Sequence, residues 1–129
     1  MAKRQSIDIP GLVPHSNPIS HCTKIGNMIF SGGITGFDPD TGDLPDTLDE
    51  QAANAFANMK TLIEGAGATL GDIGKVTVFM KDTSNRDAVN RAWLELFPDE
   101  HNRPARHAIE YDAFPPGVQV QLEIIAVLD

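Results

Sequence analysis

Arg106 is the first residue to consider for chemistry. It lies with Arg103 and His107 in the densest basic cluster of a chain whose ten Lys and Arg residues are otherwise scattered. A guanidinium fork pairs bidentately with a carboxylate and supplies charge and orientation together. The competing reading is a surface ion pair with one of the many acidic side chains. Gly32-Gly33 is a second candidate. Without side chains, such a pair lets backbone N–H groups approach a carboxylate or oxyanion, and it equally suits a plain bulge. His15, His21 and His107 are candidate proton-transfer groups, because histidine titrates near neutrality. His107 directly follows Arg106, so in a strand it points the other way. Cys22 lacks an obvious adjacent base and reads as a buried structural thiol. Asp38, Asp40 and Asp43 have the wrong spacing for a calcium loop and read as a turn. His101 and His107 with Asp99 and Glu100 show no metal-ligand spacing, so no metal site is expected.

These residues need elements to position them. Pro10, Gly11, Pro14 and Pro18 make the N-terminal stretch irregular, so residues 1–17 are expected to form an arm ahead of a domain over 18–129. Residues 21–25 and 28–31 flank Gly26-Asn27 as a hairpin, and Gly32-Gly33 interrupts its second strand. Thr47 and Glu50 have capping-box spacing. Leu48, Ala52, Ala55, Met59 and Leu62 form one helical face, which Gly65 and Gly67 terminate. Residues 75–80 read as a buried strand. Ser84 or Asn85 is expected to cap a second helix carrying Val89, Trp93 and Phe97 on its core stripe. Residues 107–111 read as a short strand. In 118–128, Val118, Val120, Leu122, Ile124 and Ala126 face one way; Gln119, Gln121, Glu123 and Ile125 face the other. The order ββ(β)αβαββ predicts an α+β domain with two helices on one face of a mixed sheet. The other face is left bare, with apolar residues on both sides of the last strand, which argues for oligomerisation through the sheet.

The chain has 129 residues, 41% of them apolar and 22% charged, which suits one soluble globular domain. Neither a membrane-spanning run nor a secretory signal is evident. The single cysteine fits a reducing compartment, so a cytoplasmic protein is expected. A formal net charge of −8 repels phosphate backbones and argues against a nucleic-acid partner. A small anion is the better fit.

Gly26-Asn27-Met28-Ile29, Asp38-Pro39-x-Thr41-Gly42, Glu64-Gly65-Ala66-Gly67-Ala68, Asp72-Ile73-x-Lys75-Val76-Thr77-Val78-Phe79, Val89-Asn90, Pro104-Ala105-Arg106 and Leu122 to Val127 occur in one order. Together they resemble the RidA (YjgF/UK114-like) family, from about Pro18 to Val127. The resemblance implies a chorismate-mutase-like fold and a homotrimer whose sheets line a central barrel, with three ligand clefts between neighbouring subunits. It implies hydrolysis of reactive enamines and imines such as 2-aminoacrylate to a 2-oxo acid and ammonia, without cofactor or metal. It places Arg106 on the substrate carboxylate and Asn90 near the cleft.

The same resemblance marks departures. Ile19 stands where the best-known members have Tyr, and Gly32, with Ser31 just before it, where they have a ligand-contacting Ser. Gln121 stands where they have a Glu proposed to handle the attacking water. Glutamine can hold a water but cannot take its proton. Glu123, two residues on and on the same strand face, is the alternative carboxylate. The resulting expectation is a hydrolytic deaminase of small imine or enamine carboxylates that binds through Arg106, Ile19, Ser31, Gly32, Gly33 and Asn90. A non-catalytic binder of 2-oxo acids is the alternative. A ribonuclease or translation inhibitor, a label the family carries, is disfavoured by charge.

Overall fold

The computed structural model describes residues 3–129. Its strands are β1 (Arg4–Ile7), β2 (Cys22–Ile25), β3 (Met28–Ser31), β4 (Ile34–Thr35), β5 (Ile73–Met80), β6 (Ala105–Glu110) and β7 (Val120–Val127). The helices are α1 (Leu48–Gly65) and α2 (Asp87–Leu96). The strands form one sheet in the order β1-β2-β3-β7-β5-β6, with β4 also on β7. Only β5 and β6 run parallel, joined through α2 as a crossover unit needs. The architecture is α+β, as expected.

One face of the sheet carries the core. Val76, Val78, Met80, Leu122 and Ile124 are at most 1% exposed beneath the helices. The period-two alternation read for the last strand holds, with Gln121, Glu123 and Ile125 on the opposite face. Helix α1 starts at Thr47, whose hydroxyl accepts the Glu50 N–H at 3.2 Å. It buries Ala52, Ala55, Met59 and Leu62 of the expected face and adds Phe56 and Ile63, while Leu48 at its start is half-buried. Gly26 turns the β2–β3 hairpin at φ +57°, a backbone glycine adopts without strain. The acidic loop is a turn, closed by the Gly42 N–H on the Asp38 carbonyl at 2.7 Å.

Four expectations need correction. The stretch expected to be an irregular arm contains β1, paired antiparallel with β2, and Ile9 is 3% exposed in the core. The prolines start only at residue 10, and residues 4–7 keep every backbone donor for the ladder. The sixth strand spans Ala105–Glu110 rather than 107–111, which brings Arg106 into the sheet. Helix α2 has no side-chain cap; its N-cap is Arg86, and Ser84 donates its hydroxyl to Asp82 at 2.6 Å in the preceding turn. The last strand starts at Val120, with Val118 buried ahead of it.

The second sheet face stays open. Phe30, Ile109 and Val127 are 37%, 37% and 46% exposed. No helix among the described residues is long and apolar enough to cross a membrane.

Candidate ligand site

Strand β6 holds Arg106 level with Val76 of β5. Parallel partners share a face, so the Arg106 side chain lies on the helix side. There α2 presents Asn90 and Trp93, three residues apart and therefore adjacent on its surface. The Arg106 Nη2 donates to Asn90 Oδ1 at 2.7 Å. The guanidinium carbon sits 5.0 Å from the centre of the Trp93 ring, within cation–π range. Trp93 is wedged between Phe56 and Phe97, so the plate beneath the cation is fixed.

The other guanidinium nitrogen has no such partner. Nη1 is buried and makes no hydrogen bond. Among the described residues the ion pairs are Arg91 with Asp49 and His101 with Glu100, so no carboxylate answers Arg106. Burial, with a smaller push from Arg86, lowers its pKa from the ordinary arginine value. Arginine nonetheless stays charged near neutrality. A desolvated charge with an orphaned donor favours an anion brought from outside. Arg103 plays a different part: its Nε donates to the Phe97 carbonyl at 2.8 Å, satisfying the end of α2.

A second group gathers across the sheet. Phe30 pairs with Ile125 and Ile34 with Leu122, so three residues of the β3–β4 strand stand against two of β7. The bulge expected at Gly32-Gly33 is there. Ser31 stabilises it by accepting the Ile124 N–H on its hydroxyl at 2.8 Å. The Gly32 N–H is committed to the His21 carbonyl at 3.0 Å. Of the glycine pair, only Gly33 is left to offer a backbone donor. A Cβ on Gly33 would come within 2.6 Å of Gln121 Nε2, so the Gln121 amide lies across this glycine. Gly33, Gln121, Ile19, His15, Asn58 and Pro115 help line a cleft of about 580 Å³.

The remaining candidates separate by environment. His21 is 8% exposed with both ring nitrogens occupied: Nδ1 accepts the Ile9 N–H and Nε2 donates to the Val13 carbonyl, each at 2.9 Å. It ties down the N-terminal segment and has no free nitrogen for proton transfer. His15 stacks on it at 5.0 Å, and burial followed by His21 lowers its pKa, partly offset by Asp8. His107 is exposed on the open face, in one cross-strand row with Thr77 and Glu123. Cys22 is buried, and burial with Asp8 raises its pKa, so it is a poor nucleophile. No cluster of three or more metal-binding side chains occurs among the described residues.

Residues 13–128 match the family described as Endoribonuclease L-PSP. The 2-iminobutanoate/2-iminopropanoate deaminase of Escherichia coli K12 is 40% identical over 112 residues, covering 85% of this chain and 87% of that one. The crystal structure of RidA from a Psychrobacter species superposes with a TM-score of 0.87 at 31% identity, over 96% of this chain and 99% of the other. Escherichia coli TdcF with bound serine gives a TM-score of 0.86 at 27% identity, over 96% and 100%. The chain belongs to the RidA family.

Within this RidA-family fold the expected residues fall into two groups. Arg106 and Asn90 meet at the β6–α2 edge, on the helix side. Gln121 lies on the opposite face, beside Ile19 and Gly33 in the cleft, and Glu123 shares that face further along the strand. A single chain therefore does not present Arg106 and Gln121 to one small ligand. Sequence reasoning placed Trp93 in the core stripe and missed its contact with Arg106; its three-residue spacing from Asn90 was the available signal. It also missed Asn58, which donates to the Thr35 and Phe37 carbonyls at 2.9 Å and holds β4 at the cleft. A buried mid-helix amide gives no local hint of its partners.

Proposed function

We propose that the protein is a cofactor-free hydrolytic deaminase of small imine or enamine carboxylates, with Arg106 clamping the substrate carboxylate. The observation that carries this is the Arg106 guanidinium, fixed by Asn90 and Trp93, with Nη1 buried and unpartnered and no acidic side chain among the described residues to neutralise it. The relative named 2-iminobutanoate/2-iminopropanoate deaminase and the serine-bound relative support a small amino-acid-like ligand.

In this reading the site is completed between copies of a homotrimer. One copy supplies Arg106 and Asn90; its neighbour supplies Gln121, Gly33 and Ile19. The separation of these groups on opposite sheet faces and the apolar side chains on the open face support it. The carboxylate on Arg106 fixes the adjacent imine carbon and draws electron density from it. Water adds there, forming a C–O bond while the C=N pair moves to nitrogen. Collapse of the carbinolamine breaks the C–N bond and forms the C=O. Ammonia leaves with the protons lost by the water, giving the 2-oxo acid. Gln121 orients the water by hydrogen bonding and cannot act as its base near neutrality.

That amide favours one second reading: a trimer that binds 2-oxo acids without turnover. The formal charge of −8 argues against a polyanionic RNA substrate, despite the family's ribonuclease label. The deciding experiment measures ammonia and 2-oxo acid release from freshly generated 2-aminoacrylate. Release above the spontaneous rate that disappears in Arg106→Ala establishes the deaminase. No acceleration, with a 2-oxo acid still bound through Arg106, establishes the binder.

A further inference from the structure

Beside Gln121 the open sheet face carries a cluster of aromatic rings. Phe79 stands directly opposite Gln121 in the β5–β7 ladder, so the two side chains share that face. The Phe79 ring meets Tyr111 edge-on at 6.2 Å and 72°. Tyr111 meets Phe114 in the same manner at 4.9 Å and 72°. The next residue, Pro115, lines the cleft together with Gln121. The rings lie beside the cleft, next to Gln121 and Pro115, and outside its lining. Tyr111 is 44% exposed, and Ile109, the other cross-strand neighbour of Phe79, 37%. Interlocked edge-to-face rings hold their positions without a cover, which suits a preformed apolar subsite.

The cleft next to these rings is larger than a three-carbon acid needs. Six non-hydrogen atoms, the content of a three-carbon 2-oxo acid, come to roughly 180 Å³ at the ~30 Å³ of a liquid water each. The cleft holds about 580 Å³. Ile19, 56% exposed, adds an apolar side chain to the cleft lining.

We infer that Phe79, Tyr111 and Phe114 form the subsite for the substrate side chain, and that the protein selects 2-imino and 2-oxo acids with aromatic side chains over three-carbon ones. This rests on the Arg106 carboxylate clamp. The carboxylate end is held by Arg106 of one copy, and the side chain extends over Gln121 onto the rings of its neighbour.

The test is equilibrium binding of pyruvate and phenylpyruvate to the intact protein, with the oligomeric state measured in parallel. The expected result is phenylpyruvate at least tenfold tighter than pyruvate. Tyr111→Val combined with Phe114→Leu, which keeps the site apolar, should remove that preference by weakening phenylpyruvate far more than pyruvate, with the oligomeric state unchanged. Arg106→Ala should weaken both ligands. If both ligands need Arg106 yet bind equally, the aromatic subsite is wrong and the clamp stands. If neither ligand depends on Arg106, the clamp fails and the subsite with it. Should the double variant dissociate, Phe114→Leu alone is measured in the intact assembly. Loss of the preference there supports the subsite; full retention means that the rings serve assembly and overturns it.

Discussion

Arg106 Nη2 and Asn90 Oδ1 lie 2.7 Å apart across the gap between β6 and α2, and this bond leaves Nη1 of the same guanidinium buried without a partner. A side-chain amide can orient a cation but cannot neutralise it, and in the proposed function the substrate carboxylate does so. Arg106→Ala should lower 2-oxo acid affinity about 100-fold, on the order of 3 kcal/mol for a charge-assisted pair. Arg106→Lys should recover little of it, because an ammonium cannot reproduce the fork. Asn90→Ala should cost about tenfold with the fold retained. Calorimetric titration reads all three.

Trp93 is the chain's one tryptophan and lies 5.0 Å from the Arg106 guanidinium. Neutralising that cation changes the field on the indole. Carboxylate titration should therefore shift or quench the intrinsic fluorescence, and Arg106→Ala should lose the signal. An unchanged spectrum on a ligand that calorimetry shows to bind would place the anion elsewhere.

Gln121→Glu tests the missing base. A carboxylate here would take the proton of the attacking water, and imine hydrolysis should rise by roughly tenfold or more. The gain should appear only above the glutamate's pKa and vanish on acidification. A flat pH–rate profile with no gain would mean that proton transfer does not limit the reaction.

Two glycines separate function from folding. A Cβ on Gly33 meets the far end of the Gln121 side chain, which can swing away. Gly33→Ala should keep its thermal midpoint and lose ligand affinity or turnover. A Cβ on Gly36 would come within 2.3 Å of the Gln51 carbonyl of α1, where backbone must move. Gly36→Ala should cost about 3 kcal/mol, a fall of roughly 10 °C in Tm.

Cys22 is 2% exposed, and burial, reinforced by Asp8, raises its thiol pKa. The native thiol should resist thiol reagents at neutral pH and react at once in denaturant. Rapid labelling of the folded protein would show that the β1–β2 pairing beside it opens.

Much of the architecture was legible in local patterns. The alternation from Val120 to Ala126, the three- and four-residue spacing of α1 and the Gly26-Asn27 turn are each set by a few neighbouring residues. So is the Thr47 cap. All of them hold. The strand at Arg4–Ile7 escaped because four residues carry too little pattern; it forms because β2 offers an edge to pair with. Helix α2 starts without a side-chain cap, so its start left no local signal to read.

For the site, the sequence by itself determined which residue types were available: one arginine in a motif suited to a carboxylate, an amide where a base was expected, and paired glycines at a bulge. Only the tertiary structure decided their use. It left Arg106 without an acidic partner, committed the Gly32 N–H and both nitrogens of His21, and set Arg106 and Gln121 on opposite faces of one sheet. The physical reason is range. Periodicity and capping are interactions between near neighbours, whereas the pairing of a buried donor depends on which distant strand or helix packs against it.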